Sequence, residues 1–145
     1  MMRCFVALLF VLLTGCAAVK DEARLSVAAD VGTTAVGIAS GVAKEANPML
    51  GGGSPAGLAV SAAIRLGMIE WADTLPEPQR SQSLGFFSDL TWGVVGNNVA
   101  VLLGLGAPAL VGVAVGLVVH QKRAEFLAIC ADMMKRDPTI TNCVK

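Results

Sequence analysis

Leu90 to Gln121 reads LTWGVVGNNVAVLLGLGAPALVGVAVGLVVHQ, 32 residues without a formal charge. A helix crossing a hydrocarbon layer of about 30 Å needs about 20 apolar residues, so this run is too long for one ordinary span. Gly104, Gly106 and Pro108 divide it, predicting one helix from about Phe86 to Leu103 and another from about Pro108 to His120. Immediately upstream, Pro76, Glu77, Pro78, Gln79, Arg80, Ser81, Gln82 and Ser83 read as a solvated loop. Before that loop, Ala56 to Leu75 reads as a helix carrying Arg65, Glu70 and Asp73, started by the turn Gly51-Gly52-Gly53-Ser54-Pro55. Ser26 to Ala43 reads as another, with Asp30 as its one charge, following a charged linker of Lys20, Asp21, Glu22 and Arg24. The pattern predicts an all-α integral membrane fold of two helical hairpins, about four membrane helices in all.

Composition agrees with that class. Of 145 residues, 54% are apolar and 15% charged, and mean hydropathy is +0.67. Soluble chains carry about 25% charged residues, so what is missing is the coat of a solvated surface. Disorder is excluded by the same balance. Eleven basic residues offset eleven acidic ones, so no net field recruits nucleic acid.

At the start of the chain, Arg3 precedes an apolar stretch from Cys4 to Leu13 and then small residues, the pattern of a secretory signal. Leu13-Thr14-Gly15-Cys16 resembles the lipobox of bacterial lipoproteins. The resemblance implies cleavage before Cys16 by signal peptidase II, loss of residues 1–15, and fatty acyl chains, palmitate among them, on Cys16. Each chain contributes about 0.8 kcal/mol per buried CH₂, so such an N-terminus is held on the periplasmic face of the inner membrane. Residues 16–120 then form the helical membrane domain and residues 121–145 an amphipathic tail, a C-terminal helix that either continues the fourth helix out of the membrane or lies on the interface. In that tail Phe126, Ile129, Cys130 and Met133 recur at helical spacing among Lys122, Arg123, Glu125, Asp132, Lys135 and Arg136.

Two rules disagree on topology. Four crossings from an outside Cys16 return the tail to the periplasm, where Cys130 and Cys143 can form a disulfide. The basic group Lys122, Arg123, Lys135 and Arg136 favours a cytoplasmic tail, which three crossings would give. Four crossings are expected here, because a lipid fixes the start and the remaining thiols suit a disulfide.

Charged and amide groups within membrane segments need partners. Asp30, Thr33, Thr34, Arg65, Glu70, Asn97 and Asn98 are the intramembrane polar residues, and a salt link from Arg65 to Asp30 or Glu70 would pack a hairpin. Asp30, Thr34, Asn97 and Asn98 could instead line a shared lumen. Gly37 with Gly41 and Gly112 with Gly116 have the spacing that lets helices approach closely, within one chain or in a homo-oligomer. His120, the single His, has no second ligand at metal spacing, and no catalytic motif occurs, so no metal, no cofactor and no enzymatic activity are expected.

Val31-Gly32-Thr33-Thr34 is echoed by Val95-Gly96-Asn97-Asn98, consistent with a duplicated hairpin. Asp30-Val31-Gly32-Thr33-Thr34, with Glu45-Ala46-Asn47-Pro48 closing the helix and Asn97-Asn98 later, is similar to a signature of small bacterial membrane proteins of unknown function. That resemblance implies an integral membrane fold and no activity. The expected role is that of a lipid-anchored accessory or structural protein of an envelope assembly, with membrane lipid and a like or unlike membrane protein as partners. A holin-like pore and a phage- or plasmid-encoded exclusion lipoprotein are the alternatives.

Overall fold

The computed structural model describes residues 19–42, 54–137 and 139. The expected signal segment, Cys16, the Glu45-Asn47-Pro48 helix end and Cys143 lie outside them. Among the described residues the fold is all-α, with four helices: α1 (Val19–Ala39), α2 (Pro55–Asp73), α3 (Gln79–Leu102) and α4 (Pro108–Arg136). None of them is long and apolar enough to cross a membrane by itself. Each expected span in the first three helices carries inward-facing charge or amide groups, and the apolar run of α4 stops at His120.

The helices alternate in direction. Lys20 meets Asp73 and Asp30 meets Arg65, so α1 and α2 are antiparallel. Glu22 meets Ser88 and Asp30 meets Asn98, a near-constant offset that makes α1 and α3 parallel neighbours. Asp89 meets His120 and Gly93 approaches Gly112, so α3 and α4 are antiparallel. Helix α3 is central, packing on all three others, and its most extensive contact is with α4.

Helix ends follow local chemistry. Gly41 has φ +71°, its N–H donates to Ile38 O and the next N–H, on Val42, donates to Gly37 O. This is a Schellman stop, and only glycine enters that conformation without strain. Gly104, at φ +66°, ends α3 the same way, with Leu105 N–H on Ala100 O. Helix α2 starts where Ser54 accepts from Gly57 N–H and Pro55 takes the first position.

Two boundaries differ from expectation. The linker residues Lys20, Asp21, Glu22 and Arg24 are the opening of α1, where Asp21 and Glu22 favour the positive end of the helix dipole. Five of the eight residues of the polar loop belong to α3, whose first turn is held by Glu77 accepting from Ser81 N–H. Helix α4 runs unbroken for 29 residues, about 44 Å, because nothing between Gly116 and Pro138 interrupts it. The tail from Gln121 to Arg136 is therefore the outer half of α4, the first of the two courses expected of it.

The buried apolar core is small: Val19, Ala23 and Val27 of α1 against Ile69, Ala72 and Leu84. Much of the rest of the interior is polar or backbone. Ser26 and Ser88 are fully enclosed, and Glu22, Asp30, Ser61 and Arg123 are buried. Many large apolar side chains lie outside, among them Val60, Ile64, Phe86, Leu90, Leu110, Val113 and Leu117.

Candidate functional site: two buried polar clusters and a charged collar

The first cluster joins α1, α2 and α3 near the middle of the bundle. Asp30 is nearly enclosed, and one of its carboxylate oxygens pairs with the Arg65 guanidinium from α2. The other oxygen accepts from Asn98 Nδ2 at 2.9 Å. The same amide lies 3.0 Å from Thr34 Oγ1 and 3.2 Å from Thr33 Oγ1. Thr33 also donates to Ala29 O, one turn back. The echoed segments of the sequence thus face one another on parallel helices, with Asn98 set against Thr33 and Thr34.

Of the polar residues expected within the membrane segments, Asp30, Thr33, Thr34, Arg65 and Asn98 come together. Asn97 does not; it faces α4, with its Cβ 3.1 Å from where a Cβ on Gly112 would stand. Within the chain the five converging groups hydrogen-bond and pair with one another, with Arg65 on Asp30.

Glu70 belongs elsewhere. It lies at the end of the bundle where α1 begins and α2 ends, paired with Lys20 at 2.8 Å and with Arg24. Asp73 accepts from Lys20 and Arg80, each at 2.6 Å. These five residues form a charged collar. Hydrogen bonds from Lys20 and then Arg24 hold the Glu70 carboxyl below the usual carboxylate range, and Lys20 and then Arg80 do the same for Asp73. Asp73 and Glu70 in turn lift the Lys20 amine above its ordinary value.

The second buried cluster lies just inside this end and centres on Arg123 of α4. Its guanidinium donates to Glu22 Oε1 at 3.1 Å and to Gly85 O at 2.8 Å, and pairs with Asp89 at 2.8 Å. Glu22 also accepts from Ser88 at 2.9 Å, and Asp89 meets His120 Nδ1 at the same distance. Gly85 makes the seat possible, because a Cβ there would stand 2.9 Å from Arg123 Nη1. One cation thereby ties α1, α3 and α4 together. Glu22, Ser88, Asp89 and Arg123 were not legible as a site, since they are brought together only by the parallel packing of α1 on α3 and the antiparallel packing of α4 on α3.

The glycines divide as well. A Cβ on Gly112 would approach Gly93 O to 2.6 Å, and one on Gly116 would approach Asp89 O to 3.1 Å. This pair lets α4 lie against α3 within the chain. Gly37 is buried in α1, whereas Gly41 faces open space and serves as the helix stop, so within the chain these two do not pack as a pair.

Cys130 is buried and disulfide-bonded, its partner cysteine lying outside the described residues. Among the described residues no group of His, Cys, Asp and Glu is placed to hold a metal ion. Comparison with protein-family models, curated proteins and solved structures finds no match.

Proposed function

We propose that this chain is a non-enzymatic, lipid-anchored protein of the bacterial inner membrane, an accessory or structural component of an envelope assembly, with its two helical hairpins embedded in lipid. The observation that carries this reading is the distribution of side chains. Buried charges and serines share the interior with a modest apolar core, while many large apolar side chains face outward on α2, α3 and α4. In water such a surface would be an extensive uncovered apolar patch. In a bilayer it is the expected outer surface, and inward-facing charges pair with one another as they do here. Each helix taken alone is too polar to cross, but lipid meets the exposed surface of the assembled bundle, not the average of each sequence.

Two further features support the placement. The lipobox-like Leu13-Thr14-Gly15-Cys16 stands just before α1. The disulfide at Cys130 suits an oxidising compartment, which favours an extracytoplasmic C-terminal half of α4 over the cytoplasmic side indicated by its basic residues. An accessory role follows from a polar interior whose hydrogen bonds and ion pairs are made within the chain.

Reconstitution tests both halves of the reading. The protein should stay with liposomes through alkaline carbonate extraction, and those vesicles should remain tight to potassium. Release by carbonate contradicts embedding, and a protein-dependent ion flux contradicts the structural role in favour of a pore. Mass spectrometry of the mature N-terminus should find Cys16 bearing acyl chains, and an unmodified Cys16 removes the anchor.

A further inference from the structure

Arg65 places a charge near the middle of the bundle and leaves most of its donors unused. A guanidinium carries five N–H donors, and among the described residues Arg65 directs only one of them to a partner, Asp30. Its side chain keeps 34% exposure where that of Asp30 keeps 5%. Asn98 has the complementary surplus. Its Nδ2 is turned to Asp30, Thr33 and Thr34, but its carbonyl oxygen accepts from no described residue and is not sealed from the surface. The cluster is thus closed around Asp30 and open beside it, with donors and an acceptor next to each other.

Depth makes this opening costly. Asp30 lies about 15 Å along α1 from Lys20 of the collar, and about 14 Å of helix remain to Ala39. In a hydrocarbon layer of about 30 Å, Arg65 and Asn98, which both touch Asp30, therefore sit near the centre. Lipid tails offer no acceptor there, and an arginine side chain about 7 Å long reaches neither headgroup layer. The outward side chains around this level, Val60, Ile64, Leu90 and Val94, cannot accept a hydrogen bond. A second carboxylate would give the Asp30–Arg65 pair a net negative charge in hydrocarbon, so a neutral oxygen is the better acceptor. The amide oxygen of another Asn98 is such an atom.

Copies inserted in one membrane with the same orientation are related by rotation about its normal, which keeps every residue at its own depth. Arg65 and Asn98 share a depth, so each can meet the other across a two-fold axis. We infer that two copies dimerise along the α2–α3 side of the bundle, Arg65 of each donating to the Asn98 carbonyl oxygen of the other. This rests on the embedded reading above. Hydrogen bonds between helices are a main source of association in lipid, where apolar faces gain little by leaving the tails.

The test reconstitutes the full mature protein, with one fluorophore at its C-terminus, in phosphatidylcholine vesicles at protein-to-lipid ratios lowered in steps. Photobleaching is expected to show two steps per spot at high ratios and one on dilution. One step at every ratio, or more than two, overturns the dimer. Arg65→Lys keeps a charge opposite Asp30 but loses the planar donors, and is expected to weaken the dimer about tenfold. An unchanged dimer in that folded variant overturns the role of Arg65. A photoreactive residue in place of exposed Val94, one turn before Asn98 on α3, is expected to join two copies, whereas one in place of exposed Leu117 on α4 is not. Both positions face outward, so this arm stands even if Arg65→Lys does not fold. Cross-linking through Leu117 alone puts the interface on α4 and overturns the proposal. Carbonate extraction of the same vesicles keeps the two readings apart: a monomer that resists extraction removes only the dimer, and release removes embedding.

Discussion

The two buried clusters enclose opposite charges. Around Asp30 the acid is sealed, with 5% of its side chain exposed, while the Arg65 side chain keeps 34%. Around Arg123 the cation is sealed at 7%, and it faces two carboxylates, Glu22 and Asp89. A buried charge is tolerated only when paired and hydrogen-bonded, and losing its partner is far worse than never having had one. Each cluster therefore has a member whose loss strands another, and the two do not depend equally on it. Asp30 retains the Asn98 amide if Arg65 is gone. Glu22 and Asp89 retain only Ser88 and the exposed His120 if Arg123 is gone.

The largest effect is accordingly expected at Arg123. Replacing it with Met should destabilise the bundle by about 3–5 kcal/mol, read as loss of the folded form in detergent unfolding curves. Arg123→Lys should recover only part, because one ammonium cannot reach Gly85 O, Glu22 and Asp89 together. Equal stability of Arg123→Met and the parent would mean that α4 is held by its glycine contact alone.

Arg65→Leu should cost less, about 2 kcal/mol, since the stranded Asp30 keeps its amide donor. If this variant proves worse than Arg123→Met, the ranking of the two clusters is reversed. Asp30→Asn should be milder again, about 1 kcal/mol, because the amide is isosteric and Arg65 reaches the surface. A two-dimensional amide spectrum should show its changes confined to residues near Thr33, Thr34 and Asn98.

The smallest effect belongs to the collar, where the groups are exposed or only partly covered and solvent screens each pair. Glu70 and Asp73 have carboxyls lowered by Lys20, Arg24 and Arg80. Groups of that kind add stability above their unfolded pKa of about 4, and the contribution disappears as pH falls through the lower folded value. A melting temperature that is level from pH 7 to 5 and drops only below about pH 4 is expected. Asp73→Asn should flatten that drop, and an unchanged acid limb would detach it from the collar.

How much of this was legible in the sequence depended on the range of the interaction. Helix ends were readable where the cause is local, at Ser54-Pro55, at Gly104 and at Pro108. The Asp30–Arg65 pairing was readable in kind, because two charges in apolar helices require partners, although Glu70 was an equal candidate until the antiparallel register set it beside Lys20 and Arg24. The Arg123 cluster was not readable, since Glu22 and Arg123 are separated by 101 residues and Glu22 sits in a stretch that resembles a linker. The extent of α4 was legible only as one of two courses. The change from apolar to charged residues after His120 left open a separate interfacial helix, but charge alters what surrounds a helix without interrupting its hydrogen bonds.

The claim on which the account depends is that the apolar outside of the bundle is covered by lipid, and carbene footprinting from a photoreactive probe dissolved in the bilayer tests it most directly. Peptide mass spectrometry should find label on Val60, Ile64, Leu90, Leu110, Val113 and Leu117, and little on buried Ile69, Leu84 and Val95. Absence of lipid-phase label from the first set, with ready oxidation of the same residues by hydroxyl radicals from water, would contradict it.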